Sequence, residues 1–441
     1  MAPALLACLA RPAHGGETTT RIDAAEAVPA AAFLDSIGVN THFTFNDSPY
    51  ATRYAEVRSK LAALGLRHVR DVLHPHVSDL AGLGISTTVL AEPNLGTPES
   101  FRDRVKALNA QGVAVDAIEG ANEPDMFWKR LRISWKGQGY PDGPVLWQRD
   151  LFQTFKADPA TSRLTIIGPS LGLAGMPNAQ PPGSWGGLRE YVDWGNIHPY
   201  PYNANPFGPE LAYGTLSSFF HSGTFPSVTV DEAPDAFRAY QAIYGAGPYA
   251  ATETGYPAGC WFTSEALQAK YLPRLYAEYF RLGLKRTYIY QLLDSEQDPT
   301  GRDPEGGFGL LRYDLSERPA FQAVAALTRL LARPAGPGAA APQALHLTLT
   351  VTGVGDFPDA SRVHHLLLRR ADDSLLLLLW HEVSGEDTSS QPRRPVAVPP
   401  LPARLDADQP VRFTVEGQDG APAAGVDLSV PDSLVAVEIA Q

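Results

Sequence analysis

Two glutamates stand in surroundings suited to paired-carboxylate chemistry. Glu123 closes the run Ile118-Glu119-Gly120-Ala121-Asn122-Glu123-Pro124, and Glu253 lies in Ala251-Thr252-Glu253-Thr254-Gly255-Tyr256-Pro257. Each follows a short apolar run that reads as a strand. When two carboxyl groups face one reacting bond, a protonated one can deliver a proton to a leaving oxygen while an ionised one attacks. Cleavage of a glycosidic bond needs such a pair across an oxocarbenium-like transition state. Other polar residues end strands nearby. Arg70, in Arg67-His68-Val69-Arg70-Asp71, would hold Glu253 ionised if it lay within about 4 to 6 Å, or else form a purely structural salt bridge. His198 in Ile197-His198-Pro199-Tyr200, and His42 at the end of Gly38-Val39-Asn40-Thr41-His42, read either as substrate contacts or as internally satisfied histidines.

These residues need a frame. Short apolar runs at 37–42, 67–72, 86–90, 114–120, 164–169, 194–198, 249–253 and 286–292 alternate with amphipathic segments at 54–64, 99–110, 146–156, 234–244 and 264–282. A further helical pattern at 319–331 follows the eighth run. Strands alternating with crossover helices form a parallel sheet, and eight such units close into a (β/α)8 TIM barrel, an α/β fold whose active site forms at the C-terminal ends of the strands. Residues 34–331 are assigned to this catalytic barrel. A proline- and alanine-rich stretch, 332–343, reads as a linker. Residues 344–441, with apolar runs at 345–352, 363–369, 374–380, 411–415 and 434–439, read as a C-terminal β-sandwich accessory domain. Residues 1–33 form an N-terminal segment from which 18–28 is expected to add a strand to the sandwich.

Composition narrows the function. The 441 residues carry 36 Lys and Arg against 48 Asp and Glu, a net charge of -12, which disfavours nucleic acid and anionic membranes as partners and suits a neutral substrate. No stretch is long and apolar enough to span a bilayer. The run Ala4-Leu5-Leu6-Ala7-Cys8-Leu9-Ala10 resembles the core of an export signal without the usual basic residues before it, and the expectation is a secreted or cell-envelope protein. Two cysteines, Cys8 and Cys260, make no disulfide framework. Trp128, Trp135, Trp185 and Trp261 all fall on loops expected at the catalytic face, where flat rings suit the CH face of a pyranose, against the alternative that they pack loops onto the barrel. The pair His74-Pro75-His76 has no third metal ligand at a recognisable spacing, and the acidic loop 294–305 matches no EF-hand. Neither metal nor cofactor is expected.

The motifs resemble a known group. Asn122-Glu123-Pro124 after the fourth strand, paired with Glu253 after the seventh, is similar to the pattern of clan A retaining glycoside hydrolases. Gly38-Val39-Asn40-Thr41-His42 and Arg67-His68-Val69-Arg70-Asp71 look most like family thirty-nine and its neighbours. The resemblance covers residues 34–331 and implies Glu123 as acid/base, Glu253 as nucleophile and Asn122 on a sugar 2-hydroxyl. It also implies an oligo- or polysaccharide substrate, for which His42, Arg70, His198, Tyr200, Tyr290, Trp128 and Trp261 are the candidate contacts. Members of the clan carry a tryptophan after strand eight, where this chain has Tyr290-Gln291. Two alternatives remain open: a carbohydrate-binding barrel without activity, and a metal-dependent barrel hydrolase.

Overall fold

The computed structural model describes residues 16–172, 183–200, 240, 242–259, 262–333, 341, 344–354, 363–383, 385–387, 394–415, 417–419 and 421–440. The chain divides into two compact units.

The larger unit, 29–333 with 384–397, is the barrel. Its strands are β1 Ile37–Asn40, β2 His68–Asp71, β3 Ser86–Leu90, β4 Val115–Glu119, β5 Thr165–Ile167, β6 Gly195–Ile197, β7 Tyr249–Thr254 and β8 Arg286–Ile289. All neighbours pair in parallel in the order β5-β4-β3-β2-β1-β8-β7-β6. A parallel bridge from Ile167 to Trp194, the residue before β6, closes the ring.

Between strands the chain obeys local rules. In helix Pro98–Leu108, Thr97 and Ser100 form a reciprocal capping box, Pro98 occupies the first turn, and Phe101 and Val105 are the buried stripe. Helices Tyr54–Leu64, Asp142–Ala157, Glu265–Arg281 and Pro319–Ala332 occupy their expected places. Most of the 234–244 pattern lies outside the described residues. The first helix, Ala30–Asp35, packs against the last.

Inside the barrel the layers are polar as well as apolar. Gly38 on β1 is needed because a Cβ there would lie 2.5 Å from the Tyr288 ring. That ring crosses the lumen to hydrogen-bond Thr88 Oγ1 at 2.5 Å, while Arg286 and Asp116 pair at 3.0 Å beside it. Buried polar groups must find partners inside the fold, and above this layer the same demand is met by the residues described below.

The second unit comprises 1–28, 334–383 and 398–441. Its strands run in the order Gly16–Asp23, His346–Val354, Leu401–Val415, Val435–Ala440, Leu375–His381, Val363–Arg369. Neighbours along this path are antiparallel. Leu401–Val415 belongs to both layers: its first half pairs with His346–Val354 and with Ala423–Val430, and beyond an irregularity between Asp406 and Val411 it pairs with Val435–Ala440. The sandwich encloses a core of Leu, Val and Ile from both layers, including Leu347, Leu377, Leu405 and Val437. A short hairpin of Glu386–Asp387 and Arg394–Pro395 leaves this module's sequence and groups with the barrel unit.

Candidate active site

The strand ends bring Glu123, Glu253, Arg70, Asn122, His198 and Tyr200 into one constellation. Arg70, from β2, is its hub. Its Nε and Nη2 donate to Glu119 at 2.5 and 2.8 Å, a side-on pair with a carboxylate that is 0% exposed. Nη1 donates to Glu253 Oε1 at 2.6 Å and to Asn40 Oδ1 at 2.9 Å, and Nη2 also reaches Asn122 Oδ1 at 2.7 Å. A guanidinium offers five donors in a fixed fork, and here that fork locks β1, β2, β4 and β7 together. Because arginine only donates, the contact assigns Asn122 Oδ1 and leaves its Nδ2 pointing elsewhere; among the described residues that nitrogen has no acceptor.

The two glutamates sit in opposite electrostatic settings. Glu253 accepts from Arg70 and, on Oε2, from Tyr200 OH at 2.9 Å. Burial alone would raise its pKa, but the charges of His198 and Arg70 and the Tyr200 and Arg70 hydrogen bonds hold it below the usual carboxylate range. Glu123 is only 2% exposed. Burial pushes it up; the His198 contact opposes this, while the charges of Glu253 and Asp125 add to the rise. His198 stands between the two, Nδ1 2.7 Å from Glu123 Oε1 and 3.7 Å from Glu253 Oε2, with Nε2 2.9 Å from Thr252 Oγ1. Burial lowers the His198 pKa, yet the two carboxylates outweigh it and the net shift is upward. One oxygen of each glutamate and a ring nitrogen of His198 all lie within 4.8 Å of one another. That trio is also the donor set a cation would use, but Arg70 already supplies positive charge to Glu253 at 2.6 Å, which works against a second cation there.

Glu123 is held in a left-handed backbone conformation, φ 41°, which costs a non-glycine residue about 1 kcal/mol or more. The turn is fixed by hydrogen bonds from Glu123 N–H to Ser170 Oγ at 3.1 Å and from Asn122 N–H to Glu92 Oε1 at 2.7 Å. Gly172 leaves the room: a Cβ there would crowd the Met126 sulfur most closely and lie 2.9 Å from the Glu123 carboxyl.

The remaining expected contacts divide. Tyr290 follows β8 and forms an aromatic wall with Tyr200, Phe308 and His42, ring centroids 6.5, 5.3 and 5.6 Å away. His42 stacks on Phe45 at 4.6 Å; burial pushes its pKa down to about 4, so the ring is neutral, and its Nε2 has no hydrogen-bond partner among the described residues. Trp128 departs from the expectation of a sugar platform. It is 1% exposed, packs in the core beside Trp147, and donates Nε1 to Glu92 Oε2 at 3.0 Å, thereby bracing the turn that carries Glu123. Trp185 is likewise buried, donating to the Pro141 carbonyl, and Trp135 caps Trp147 edge-on and donates to Asp150. Trp261 lies outside the described residues. His74 packs on Phe43 and His76 on Tyr54. In the acidic loop Asp298 is consumed by hydrogen bonds from Thr300 and Asp303, and Asp294 pairs with Arg318.

Sequence reasoning missed Glu119, Asn196 and Thr252, which form one hydrogen-bonded layer beneath the glutamates: Asn196 Nδ2 and Thr252 Oγ1 both donate to Glu119 Oε1 at 3.0 Å. A glutamate inside an otherwise apolar strand was the available signal, since charges are buried only when paired. Glu92, two residues past the end of β3, and Glu305 were also missed. Burial raises each to about 7, against hydrogen bonds from Asn122 and Trp128 to Glu92 and from Tyr290 to Glu305.

No family model matches the sequence, and no curated protein does. Solved structures do match in fold. A family 39 glycoside hydrolase from the gut symbiont Bacteroides cellulosilyticus WH2 aligns over 94% of this chain and 82% of its own, with a TM-score of 0.55 and 17% identity. A glucosidase from Croceicoccus marinus aligns over 92% and 95%, with a TM-score of 0.55 and 11% identity. The likeness establishes the architecture, a (β/α)8 barrel with a C-terminal β-sandwich. The first of these structures is of family 39, the family that the strand-end motifs resemble.

Proposed function

We propose that this protein is a retaining glycoside hydrolase acting on a β-linked glycan, with Glu253 as nucleophile and Glu123 as general acid/base. One observation carries the reading: two glutamates with oxygens within 4.8 Å of each other, one held ionised and the other pushed toward its protonated form. Retaining enzymes place their carboxyl groups about 5–5.5 Å apart, whereas inverting enzymes need about 6.5–9.5 Å to admit a water. The apolar run 4–10 supports export to the envelope or medium, which cell fractionation would test.

In the first step the Glu253 carboxylate attacks the anomeric carbon while Glu123 gives its proton to the glycosidic oxygen, and the leaving group departs with that proton. The negative charge shifts from Glu253 to Glu123, and His198 touches both. In the second step Glu123, now ionised, takes a proton from water, whose oxygen displaces Glu253 from the anomeric carbon. Two inversions restore the configuration. Asn122, its oxygen fixed by Arg70, has an amide N–H free to donate to a sugar hydroxyl.

Proton NMR of the first-formed product should therefore show the anomer of the substrate; an inverted first product would remove Glu253 from its role. The rate should rise with pH as Glu253 ionises below the usual carboxylate range and fall as Glu123 loses its proton above it, giving a bell. Glu123→Gln should abolish the alkaline limb. It should slow substrates with poor leaving groups by about 10²-fold or more, and activated aryl glycosides far less. Gly172→Ala should lower kcat about tenfold to 10²-fold by displacing the Glu123 carboxyl while leaving the thermal midpoint within a few degrees; an unaffected kcat would show that Glu123 has room to move.

A further inference from the structure

A cavity of about 300 Å³ opens beside the aromatic wall, lined by Phe45, Asn46, Asp47 and Ser48 from the loop after β1 and by Ser295 and Tyr313 from the segment after β8. We propose that this cavity is a second sugar-binding subsite, holding the unit next to the cleaved one on its non-reducing side, so that the preferred substrate is an oligosaccharide rather than a single terminal sugar. This rests on the glycosidase reading above.

Four observations support it. Phe45 is 45% exposed, a large apolar ring left in water; one face lies flat on His42, with an interplanar angle of 13°, and the ring borders the cavity. An aromatic platform edged by polar groups is what a pyranose requires, apolar for its CH face and hydrogen-bonding for its hydroxyls. The polar rim is available: the side chains of Asn46 and Asp47 make no hydrogen bond among the described residues. Its backbone is nevertheless fixed, with Tyr313 OH donating to the Asp47 carbonyl at 3.1 Å and Ser48 Oγ to the Phe45 carbonyl at 2.7 Å.

The cavity is also physically linked to the glutamates. His42 carries Phe45 on one side and meets Tyr290 on the other, Tyr290 meets Tyr200, and Tyr200 OH binds Glu253. On the β8 side, Ser295 receives a hydrogen bond from Gln291 Nε2 at 2.8 Å. Position around the ring decides which end of the substrate lies here. Glu123 stands on the turn after β4 and protonates the departing oxygen, so the leaving portion extends toward β4. Strands β8 and β1 lie across the barrel from β4 and β5, so the portion that stays on Glu253 extends toward this cavity.

The test compares nitrophenyl β-glucoside with nitrophenyl β-cellobioside, and nitrophenyl β-xyloside with nitrophenyl β-xylobioside, on the full chain and on Phe45→Ala and Asp47→Ala. For at least one pair the wild type should prefer the disaccharide. Each variant should lower kcat/KM for that disaccharide about tenfold or more while leaving the monosaccharide within about twofold, which also reports an intact fold. Equal activity of wild type on both members, or equal loss on both in the variants, overturns the subsite and leaves the glycosidase reading standing. Should no glycoside be hydrolysed, calorimetric titration with cellotriose and xylotriose decides separately: binding weakened by Phe45→Ala keeps the subsite and removes the catalytic reading, and absence of binding removes both.

Discussion

Replacing Glu253 by alanine should lower the turnover of aryl glycosides by about 10⁴-fold or more, because the proposed double displacement starts from the carboxylate that this residue supplies. The fold should persist. Arg70 keeps its side-on pair with Glu119, so the lost carboxylate leaves no bare cation in the barrel. The truncated side chain also vacates space beneath the anomeric carbon, and a small anion such as azide should occupy it. With azide as the attacking group there is a single displacement, so the rescued product should carry the inverted configuration. Wild-type rates in Glu253→Ala, measured with an aryl glycoside under single-turnover conditions, would transfer the nucleophile to another residue.

Arg70→Met should have the largest effect on stability. It removes the cation from between two carboxylates, leaving Glu119, fully buried, with Asn196 and Thr252 as its donors among the described residues and Glu253 with the Tyr200 hydroxyl and, at 3.7 Å, the His198 ring. Breaking a buried pair in this way costs about 3–5 kcal/mol, which thermal or denaturant unfolding would register. Arg70→Met combined with Glu119→Gln should recover much of that loss, since the uncompensated charge goes with it. Activity should not recover. Without Arg70 the Glu253 pKa rises, and the acid limb of the pH profile moves upward in both variants. A double variant as unstable as the single one would place the contribution of Arg70 in packing rather than in charge.

The barrel was legible because its signals are strong and repeated. The strand at 86–90 coincides with β3, and helix 54–64 with Tyr54–Leu64, since a short apolar run followed by a 3.6-residue pattern fits a strand and its crossover helix and little else. The sandwich was harder. Only the second half of Leu401–Val415 was recognised, for its first half alternates Leu401, Ala403 and Leu405 inward with Pro402, Arg404 and Asp406 outward, and short or charged side chains weaken an alternating signal. Ala423–Val430, with Ala, Gly and Ser among its residues, was missed for the same reason. In the site, Glu123, Glu253 and Arg70 stood in recognisable runs, while Glu92, Glu119, Asn196 and Thr252, which brace them, did not. Trp128 shows the limit most clearly. Its position after β4 was legible, but Trp128 lies in the short helix Phe127–Leu131, and which way its ring turned depended on Glu92, from the segment after β3, whose carboxyl accepts the indole N–H.

The pairing of Gly16–Asp23 with His346–Val354 bears on how the molecule is made. The first strand leaves the ribosome before any of the barrel, and its partner appears only after the barrel is finished. Until then it is an open edge, a template for wrong pairing. Its sequence suits the wait: Glu17-Thr18-Thr19-Thr20-Arg21 is polar and charged at both flanks, so a stray strand gains little by adding to it. The barrel then shortens the search. With helix Ala30–Asp35 packed on helix Pro319–Ala332, a folded barrel holds its own two ends together, and the long loop that the sandwich must close shrinks to the few residues on either side. Synthesis order thus favours a barrel that folds first as an insertion, and a sandwich that is completed last from the segments on either side of it.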